Sequence, residues 1–217
     1  YNGPIKFTEH HLSHAAFSYF TSPFDEAAIL TVDGVGEWET ITISHGKNTS
    51  IEKKISIDYP NSLGMLYSTI TSYLGFKPNE GEYKVMGLAP YGNSKKYANK
   101  LRKVFKNTSN KFTIDQKYFD WEFSNKRMFN KHLFRLLGVL PRLPEEKVTQ
   151  EHKDLASALQ VVYEEQFLKL VSTAFNITKS KNLVLGGGCA YNGVANSKAY
   201  KYFKHIHIPF APSDSGS

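Results

Sequence analysis

The stretch ILTVDGVGEWETITIS, residues 29–44, decides the fold of this chain. Two apolar runs, residues 29–32 and 40–44, flank a polar turn that begins at Asp33, and this pattern predicts a β-hairpin. A further strand over residues 51–57 would extend the hairpin into an antiparallel meander. The turn places a carboxylate at the end of a strand, beside glycines that let backbone N–H groups approach a ligand. An ordinary Asp-Gly hairpin is the alternative.

Upstream of the hairpin, the segment EHHLSHAA at residues 9–16 places His10 and His14 four residues apart in a predicted helix. Side chains with this spacing share one helix face, so the two imidazoles can hold one divalent metal ion. Because His11 stands where HExxH proteases carry their glutamate base, the pattern disfavours a metalloprotease. A surface turn or a hydrogen-bonded core histidine is the alternative that the spacing leaves open.

The same helix is predicted to begin after an N-cap at Thr8 and to end near Phe20, before Pro23. Its spacing marks Leu12, Ala16 and Phe20 as the buried stripe. The histidines would then lie on a second face, turned toward a cleft.

Two segments near the C-terminus carry further candidate groups. LVLGGGCAYN at residues 183–192 predicts a strand, a glycine loop and a helix, an order that directs helix N-terminal amides at an anion. It lacks the lysine of a P-loop, and Tyr191 replaces the third glycine of GxGxxG, so a plain tight turn is equally compatible. APSDSG at residues 211–216 carries Asp214 in a polar turn, for which simple solvent exposure is the alternative.

The rest of the chain divides into three parts by pattern. Residues 1–92 contain the meander, a helix over residues 63–74 and a polar loop over residues 75–92. Residues 93–144 are interpreted as an insertion whose aromatic side chains pack a small separate core; these are Tyr118, Phe119, Trp121 and Phe123. Residues 145–217 contain a helix over residues 149–176 and strands over residues 182–185 and 205–208.

Composition excludes several classes of protein. No apolar run approaches the length of a membrane helix, and no signal peptide opens the chain. One cysteine, Cys189, excludes an internal disulfide, which favours a cytoplasmic location, and we interpret Cys189 as a packing residue. The net charge of +7 is partly clustered over residues 95–106 and 126–135, and each cluster is predicted to lie on one helix. No nucleic-acid motif accompanies these charges, so a solvated helix face or attraction of small anions is favoured over nucleic-acid binding.

Seven segments, in order along nearly the whole chain, resemble the O-carbamoyltransferase family of nodulation-type and antibiotic-tailoring enzymes. They are HHLSHAA (10–16), DGVGEWET (33–40), SLGMLYS (62–68), GEYKVMGLAPYG (81–92), HKDLASALQ (152–160), GGGCAYNGVAN (186–196) and PSDSG (212–216). The resemblance implies an α/β protein with the duplicated ribonuclease-H-like fold of actin, Hsp70 and sugar kinases, present here as an incomplete fragment. The family's catalytic histidine is expected upstream of this chain, and a carbamoyl-binding domain is expected C-terminal to it.

The resemblance also implies a reaction. Carbamoyl phosphate is hydrolysed to carbamate, carbamate attacks ATP to give carbamoyl adenylate, and a hydroxyl of a small-molecule acceptor then takes the carbamoyl group. A divalent metal is implied, with Fe(II) favoured over Mn or Zn. The implied metal ligands are His10, His14, Asp33 and Asp214. The groups implied to contact the carbamoyl or phosphate moiety are Asp33, Gly34, Val35 and Lys84. Those implied to line the nucleotide cleft are Gly64, Asp154, Gly186, Gly187, Gly188 and Asn192.

Two alternative functions are kept. The tRNA threonylcarbamoyl-transfer proteins share the HxxxH helix and the Asp turn, but the DGVGEWET and YKVMGLAPYG segments favour the enzymes that act on small molecules. A catalytically inactive module that binds nucleotide or nucleic acid is the second alternative, and retention of all four candidate ligands disfavours it. The acceptor alcohol is not determined by the sequence.

Overall fold

A five-stranded mixed sheet forms the centre of the computed structural model, which describes residues 3–5, 7–108, 111–122, 124 and 128–214. Its strand order is β3-β2-β1-β6-β7, formed by β1 (Glu26–Gly36), β2 (Glu39–Lys47), β3 (Ser50–Asp58), β6 (Asn182–Gly186) and β7 (His205–His207). The first three strands pair antiparallel, so the predicted meander is confirmed. Strands β1, β6 and β7 pair in parallel, with Leu30 opposite Leu185.

Helices and one small hairpin complete the described chain. The helices are α1 (His10–Phe20), α2 (Leu63–Tyr73), α3 (Glu82–Leu88), α4 (Ala98–Arg102), α5 (Lys131–Leu137), α6 (Gln150–Thr178) and α7 (Gly193–Ser197). The hairpin pairs β4 (Phe105–Asn107) with β5 (Phe112–Ile114). The helices predicted over residues 63–74 and 149–176 are therefore confirmed as α2 and α6.

Both faces of the sheet are covered because β1 is apolar on its two sides. Successive side chains of a strand point to opposite faces. Ala27 and Ile29 pack with Ala15 and Tyr19 of α1 on one face. Ala28, Leu30 and Val32 belong to the main core on the other face, which includes residues of α2 and α6. A run of buried residues without alternation is typical of a strand that lies between two layers.

The helix α1 corrects one sequence prediction. Its N-cap is Glu9 rather than Thr8. Leu12 and Phe20, predicted to be buried, are 41% and 54% exposed. The buried face instead contains His11, His14, Ala15, Ser18 and Tyr19. Periodicity failed here because this face is largely polar: His11 and His14 are buried through hydrogen bonds to Thr31, Glu39 and Asp33 of the sheet.

The segment after α2 corrects a second prediction. The pattern of residues 75–92 predicts a polar loop, but these residues contain α3 and a following 3-10 helix, Ala89–Tyr91. The Glu82 carboxylate accepts hydrogen bonds from the backbone N–H groups of Asn79 and Gly81, at 2.8 and 3.1 Å. These bonds fix the chain where α3 begins, within a stretch whose glycines and prolines suggest a loop.

Residues 93–144 do not form the separate aromatic core that the sequence predicts. Tyr118, Phe119 and Trp121 are buried in the same cluster as the sheet and α6. The indole N–H of Trp121 donates to Thr69 of α2 at 2.8 Å. Phe123, the fourth aromatic residue of the prediction, lies outside the described residues.

The basic residues between 95 and 106 do not share one helix. They are distributed over the 3-10 helix Ser94–Lys96, α4 and β4. Two of them are paired with acids of α6, Lys96 with Glu151 and Arg102 with Glu165. Within the described ranges, no helix is both long enough and apolar enough to cross a membrane.

Candidate metal centre and cleft

Two imidazoles and two carboxylates converge where α1 meets the C-terminal end of β1. The Nε2 atom of His14 lies 2.9 Å from Oδ2 of Asp33, 3.2 Å from Oδ1 of Asp214 and 3.0 Å from Nε2 of His10. The Nε2 atom of His10 lies 3.5 Å from Asp33 and 3.3 Å from Asp214. The structure thus brings together the four side chains that the sequence resemblance implied as ligands.

Contacts to the sheet fix the position of α1, and with it the two histidines. His11 is buried, and burial lowers the pKa of its imidazole despite the nearby Asp33 and Glu39 carboxylates. Its Nε2 lies 3.1 Å from the backbone oxygen of Glu39, and its Nδ1 lies 2.6 Å from the Thr31 hydroxyl. His11, between the two candidate ligands, therefore anchors the helix to β1 and β2.

Gly36 gives the His10 ring its space. A Cβ atom at residue 36 would lie 2.1 Å from Cδ2 of His10, which is far inside van der Waals contact. His10 therefore packs directly on the backbone of β1. His14 is fully buried, and its Nδ1 has no hydrogen-bond partner among the described residues. Its ring is therefore oriented by packing and by the groups around Nε2.

Asp33 is held as a carboxylate. Burial alone would raise its pKa, but hydrogen bonds from His14 and from the backbone N–H groups of Gly34 and Gly188 lower the pKa below its usual value. The Gly34 N–H donates to Oδ1 at 2.7 Å, which leaves Oδ2 for the histidines. The two oxygens therefore have separate partners, backbone amides on one side and imidazoles on the other.

This arrangement fits a divalent metal ion. The ligand atoms of His10, His14, Asp33 and Asp214 all lie within 4.8 Å of one another. The Nε2 atom of His14 has three electron-rich neighbours within 3.2 Å, and the one hydrogen that it can carry cannot serve all three. Two imidazole nitrogens and two carboxylate oxygens are a common donor set for zinc, manganese and iron.

The cluster borders a cleft of about 940 Å³. Asp33, Gly34 and Val35 line one wall, and Gly64 and Tyr67 of α2 lie beside them. The Ser62 hydroxyl, which caps α2, contacts the backbone oxygens of Asp33 and Gly34 at 3.2 and 2.5 Å. Gly64 packs so closely on Asp33 that a Cβ there would lie 2.6 Å from the Asp33 backbone oxygen. The start of α2 therefore fixes the Asp33 turn.

The three glycines after β6 have different surroundings. Only Gly188 lines the cleft, and a Cβ there would meet Oδ1 of Asp33 at 3.1 Å. Gly187 has φ +83°, and a Cβ there would lie 2.4 Å from the backbone oxygen of Val32. A Cβ at Gly186 would lie 2.6 Å from the Ser18 hydroxyl of α1. Gly186 therefore permits α1 to pack closely on β6, and Gly187 permits the loop backbone to pack closely on the backbone of β1. Gly188 faces the site.

Besides Gly186 and Gly187, two more residues implied by the resemblance lie apart from the cleft lining. Lys84 is exposed on α3, with its Nζ 5.8 Å from the ring centroid of Tyr83. The Asp154 carboxylate accepts from the backbone N–H of Asn93 at 2.8 Å and from Gln150 at 2.9 Å. These bonds tie the start of α6 to the segment after α3. Asn192, by contrast, lines the cleft.

The sequence analysis missed several groups that form the inner part of the cleft. Tyr67, Tyr163 and Cys189 line it, and the Tyr67 hydroxyl donates to the buried Gln160 at 2.9 Å. Burial, with a smaller contribution from the Asp33 charge, raises the pKa of the Cys189 thiol to about 12. Cys189 is thus a neutral thiol, which agrees with its interpretation as a packing residue. The signal for Gln160 was its place at the end of the segment HKDLASALQ.

The fold and the site define the class of protein: an α/β protein with a cluster of two histidines and two aspartates at the edge of a cleft. Comparison with known proteins identifies the family. The model of the carbamoyltransferase N-terminus matches residues 1–217, so this chain belongs to the carbamoyltransferase family. It is 31% identical over 219 residues to the nodulation protein NolNO of Sinorhizobium fredii, covering 98% of this chain and 30% of that protein.

Two further relatives extend the comparison. The nodulation protein NolO of Bradyrhizobium diazoefficiens is 29% identical, over 95% of this chain and 36% of that protein. The uncharacterized protein sll1178 of Synechocystis is 43% identical, over 98% of this chain and 35% of that protein. The chain therefore spans about a third of the length of the curated relatives that it matches.

Proposed function

We propose that this chain is the N-terminal part of an O-carbamoyltransferase that uses carbamoyl phosphate and ATP to carbamoylate a hydroxyl of a small-molecule acceptor. The observation that carries the proposal is the convergence of His10, His14, Asp33 and Asp214 at the edge of the cleft, in a chain of this family. The proposed scaffold is the first part of a duplicated ribonuclease-H-like fold, with residues 93–144 as an insertion between residues 1–92 and 145–217. The mixed sheet with helices on both faces supports it.

The proposed reaction has three steps. Water releases phosphate from carbamoyl phosphate and leaves carbamate. A carbamate oxygen then attacks the α-phosphorus of ATP, forming carbamoyl adenylate as pyrophosphate leaves. Finally the acceptor oxygen attacks the carbamoyl carbon, the bond to AMP breaks, and the hydroxyl proton passes to a base. Each step develops negative charge on oxygen atoms, so each needs hydrogen-bond donors or positive charge held in place beforehand.

The four clustered side chains are the proposed ligands of a divalent ion, with Fe(II) favoured and Mn or Zn as alternatives. Such an ion supplies positive charge that neutralises phosphate or carbonyl oxygens. The residues around it have their own tasks. Gly188 holds the Asp33 carboxylate through its backbone N–H, and Val35 provides part of the wall. Gly34 lies open to the cleft, since a Cβ at this residue would meet no atom within 4 Å.

The nucleotide is proposed to bind along the wall formed by Gly64, Gly188 and Asn192, all of which line the cleft. Glycine at residues 64 and 188 lets α2 and the β6 loop pack closely on the Asp33 turn, which forms the wall beside the proposed nucleotide site. Lys84 and Asp154 are not included in this proposed site, because Lys84 is exposed on α3 and Asp154 is engaged by Asn93 and Gln150.

Isotope exchange tests the proposal. Full-length protein is incubated with ATP, labelled pyrophosphate and a divalent metal, with and without carbamoyl phosphate. Label should enter ATP only when carbamoyl phosphate is present, because reversal of adenylate formation requires carbamate. Exchange that is independent of carbamoyl phosphate, or no exchange with any of Fe(II), Mn(II) or Zn(II), would contradict the proposal. Residues 1–217 alone, as a matched sample, are expected to give no exchange.

A further inference from the structure

A buried polar network lies beneath the cleft and joins its two walls. Its centre is Gln160 of α6, which is 5% exposed. Its carboxamide oxygen accepts from the Tyr67 hydroxyl at 2.9 Å and from the Asn192 amide at 3.2 Å. Its nitrogen donates to Glu164 at 2.9 Å and to the Asn192 oxygen at 3.0 Å. Tyr67 and Asn192 both line the cleft although they are 125 residues apart in chain order, and Gln160 contacts both.

The orientation of the Gln160 carboxamide is determined by its partners. A carboxylate oxygen only accepts, so the side of Gln160 that faces Glu164 must be the nitrogen. Lys198 forms an ion pair with the other oxygen of Glu164. All four hydrogen-bonding positions of the carboxamide, two donors and two lone pairs, are then used. A buried amide with every position satisfied is held in one rotamer.

This orientation sets the polarity of the two residues that face the ligand. The Tyr67 hydrogen is donated to Gln160, so the phenol oxygen is left to accept from a ligand. Asn192 gives one N–H to Gln160, and its oxygen also accepts from the backbone N–H of Ala195 at 3.1 Å. Among the described residues the second N–H of Asn192 has no hydrogen-bond partner, so it can donate to a ligand oxygen. Exchanging the two ends of the Asn192 amide would break its bonds to both Gln160 and Ala195.

We propose that Gln160 is a positioning residue, which fixes Asn192 as a donor and Tyr67 as an acceptor for substrate in the cleft. This inference rests on the proposed function, because it assigns the Asn192 N–H to an oxygen of ATP or of the carbamoyl group. Gln160 touches no substrate itself. It acts through Asn192 and Tyr67, which face the substrate. The effect of substituting Gln160 should therefore depend on whether these two side chains are present.

The test uses Gln160→Glu in full-length protein, with Gln166→Glu as its matched control. Gln166 is a second buried glutamine of α6, 2% exposed, that lies outside the cleft lining and contacts Lys169. Gln160→Glu removes the donor that faces Glu164 and Asn192. We expect KM to rise roughly tenfold for one co-substrate, the size of a lost hydrogen bond to a charged acceptor, with kcat changed less. KM values for ATP and carbamoyl phosphate, measured separately, identify which one carries the oxygen.

A double-mutant cycle distinguishes positioning from general destabilisation. Asn192→Asp keeps the acceptor for Ala195 but removes the N–H donors. If Gln160 acts through Asn192, the double variant is no worse in KM than Asn192→Asp alone. The proposal would be overturned if the KM increases of the two single variants multiplied in the double variant. It would also be overturned if Gln160→Glu and Gln166→Glu had the same KM values.

A readout without turnover separates this proposal from the proposed function. In a spectrum of the full-length protein, the side-chain amide hydrogens of Asn192 should exchange with solvent at least about tenfold faster in Gln160→Leu than in wild type or Gln166→Leu, because leucine lacks the oxygen that accepts from the Asn192 N–H. Unchanged exchange would overturn the positioning role whatever the enzyme does. Faster exchange in the Gln160 variant would support the positioning role. If the wild-type protein then showed no carbamoyl-phosphate-dependent chemistry, that result would contradict the proposed function alone.

Discussion

The His14 Nε2 atom lies 2.9 Å from the Asp33 carboxylate, so a fully buried histidine of α1 is joined directly to the end of β1. The pair connects the helix that covers one sheet face with the turn that opens onto the cleft on the other. Asp33 belongs to both environments, because Gly34 and His14 bind its two oxygens separately. A substitution of His14 or Asp33 should therefore alter both the packing of α1 and the shape of the cleft.

Removal of the His14 imidazole should abolish metal binding by the full-length protein. We expect His14→Ala to lower bound metal to background and to reduce carbamoyl transfer by roughly 10²-fold or more, the usual effect of losing a ligand or electrostatic stabiliser. Bound metal is measured by elemental analysis after loading and desalting. His45→Ala is the control, since His45 also pairs with a carboxylate, Glu26 at 2.9 Å, but lies outside the cluster. Equal metal content in the two variants would remove His14 from the site.

A methyl group at residue 36 should displace His10, because the three atoms nearest to it would all belong to the His10 ring. Gly36→Ala places a Cβ 2.1 Å from the His10 ring, whereas Gly34→Ala on the same strand meets no atom within 4 Å. We expect metal affinity to fall roughly tenfold or more in Gly36→Ala, because one of four ligands is moved from its position. Gly34→Ala should bind metal as wild type does. Titration with Zn²⁺ or Mn²⁺ measures both, and equal affinities would mean that His10 is not a ligand.

Substitutions at two glycines after β6 should differ in their effect on stability, because Gly187 packs on the fold and Gly188 faces the candidate site. Gly187→Ala combines a positive φ with a contact of 2.4 Å to the Val32 backbone, so we expect it to lower the free energy of unfolding by about 2 kcal/mol or more. Gly188→Ala meets only the Asp33 side chain, at 3.1 Å, and should change stability by less than about 1 kcal/mol. Urea denaturation measures both variants. A Gly187→Ala protein as stable as wild type would show that the β6 loop does not pack on β1.

The ion pair between α4 and α6 should give a small stability term that depends on pH. The Arg102 guanidinium holds the pKa of Glu165 below its usual value of 4.5, through bonds of 2.9 and 2.6 Å. A lowered pKa means that the folded state favours the charged form. The stabilisation is therefore present above about pH 4.5 and is lost as pH falls through the lower pKa of the folded state.

Glu165→Gln tests this term. Because both side chains are more than a third exposed, we expect a loss of about 0.5 kcal/mol at pH 7 that becomes smaller as the pH is lowered below about 4.5. Denaturation curves at neutral and at low pH measure it. Glu145→Gln, which removes an exposed carboxylate outside the ion pairs of the described residues, is the control. A loss that persists at low pH would assign the effect to packing rather than to charge.

The elements predictable from sequence were those whose pattern reflects burial alone. The apolar runs of β1 and β2 and the long stripe of α6 predicted their strands and helix correctly, because enough buried apolar side chains recur in them at the spacing of a strand or a helix. The face of α1 was misassigned, since His11, His14 and Ser18 are polar and buried against the sheet. The helix α3 was missed because the Glu82 side chain, not an apolar period, fixes its start.

The candidate site was predictable only where motifs mark it. His10, His14, Asp33 and Asp214 each stand in a short recognisable segment, and the structure places them together. Tyr67, Gln160 and Asn192 also stand in such segments, but the network that they form could not be predicted, because it depends on which residues meet after folding across 93 and 32 positions of chain. The close contact of Gly187 could not be predicted for the same reason, because its neighbour Val32 lies on a strand far earlier in the sequence.

The parallel pairing of β1 with β6, in which Ala28 lies opposite Leu183, has a consequence for the order of folding. The meander of β1, β2 and β3 closes through short turns and can form while the chain is still being synthesised. Strand β6 joins it only later, since Leu183 follows Ala28 by 155 positions, and such distant pairings form slowly because loop-closure entropy opposes them. Gly188 and Asp214 come after β6 in the chain. Within the described residues, the cleft and its cluster of ligands are therefore expected to be assembled after the meander.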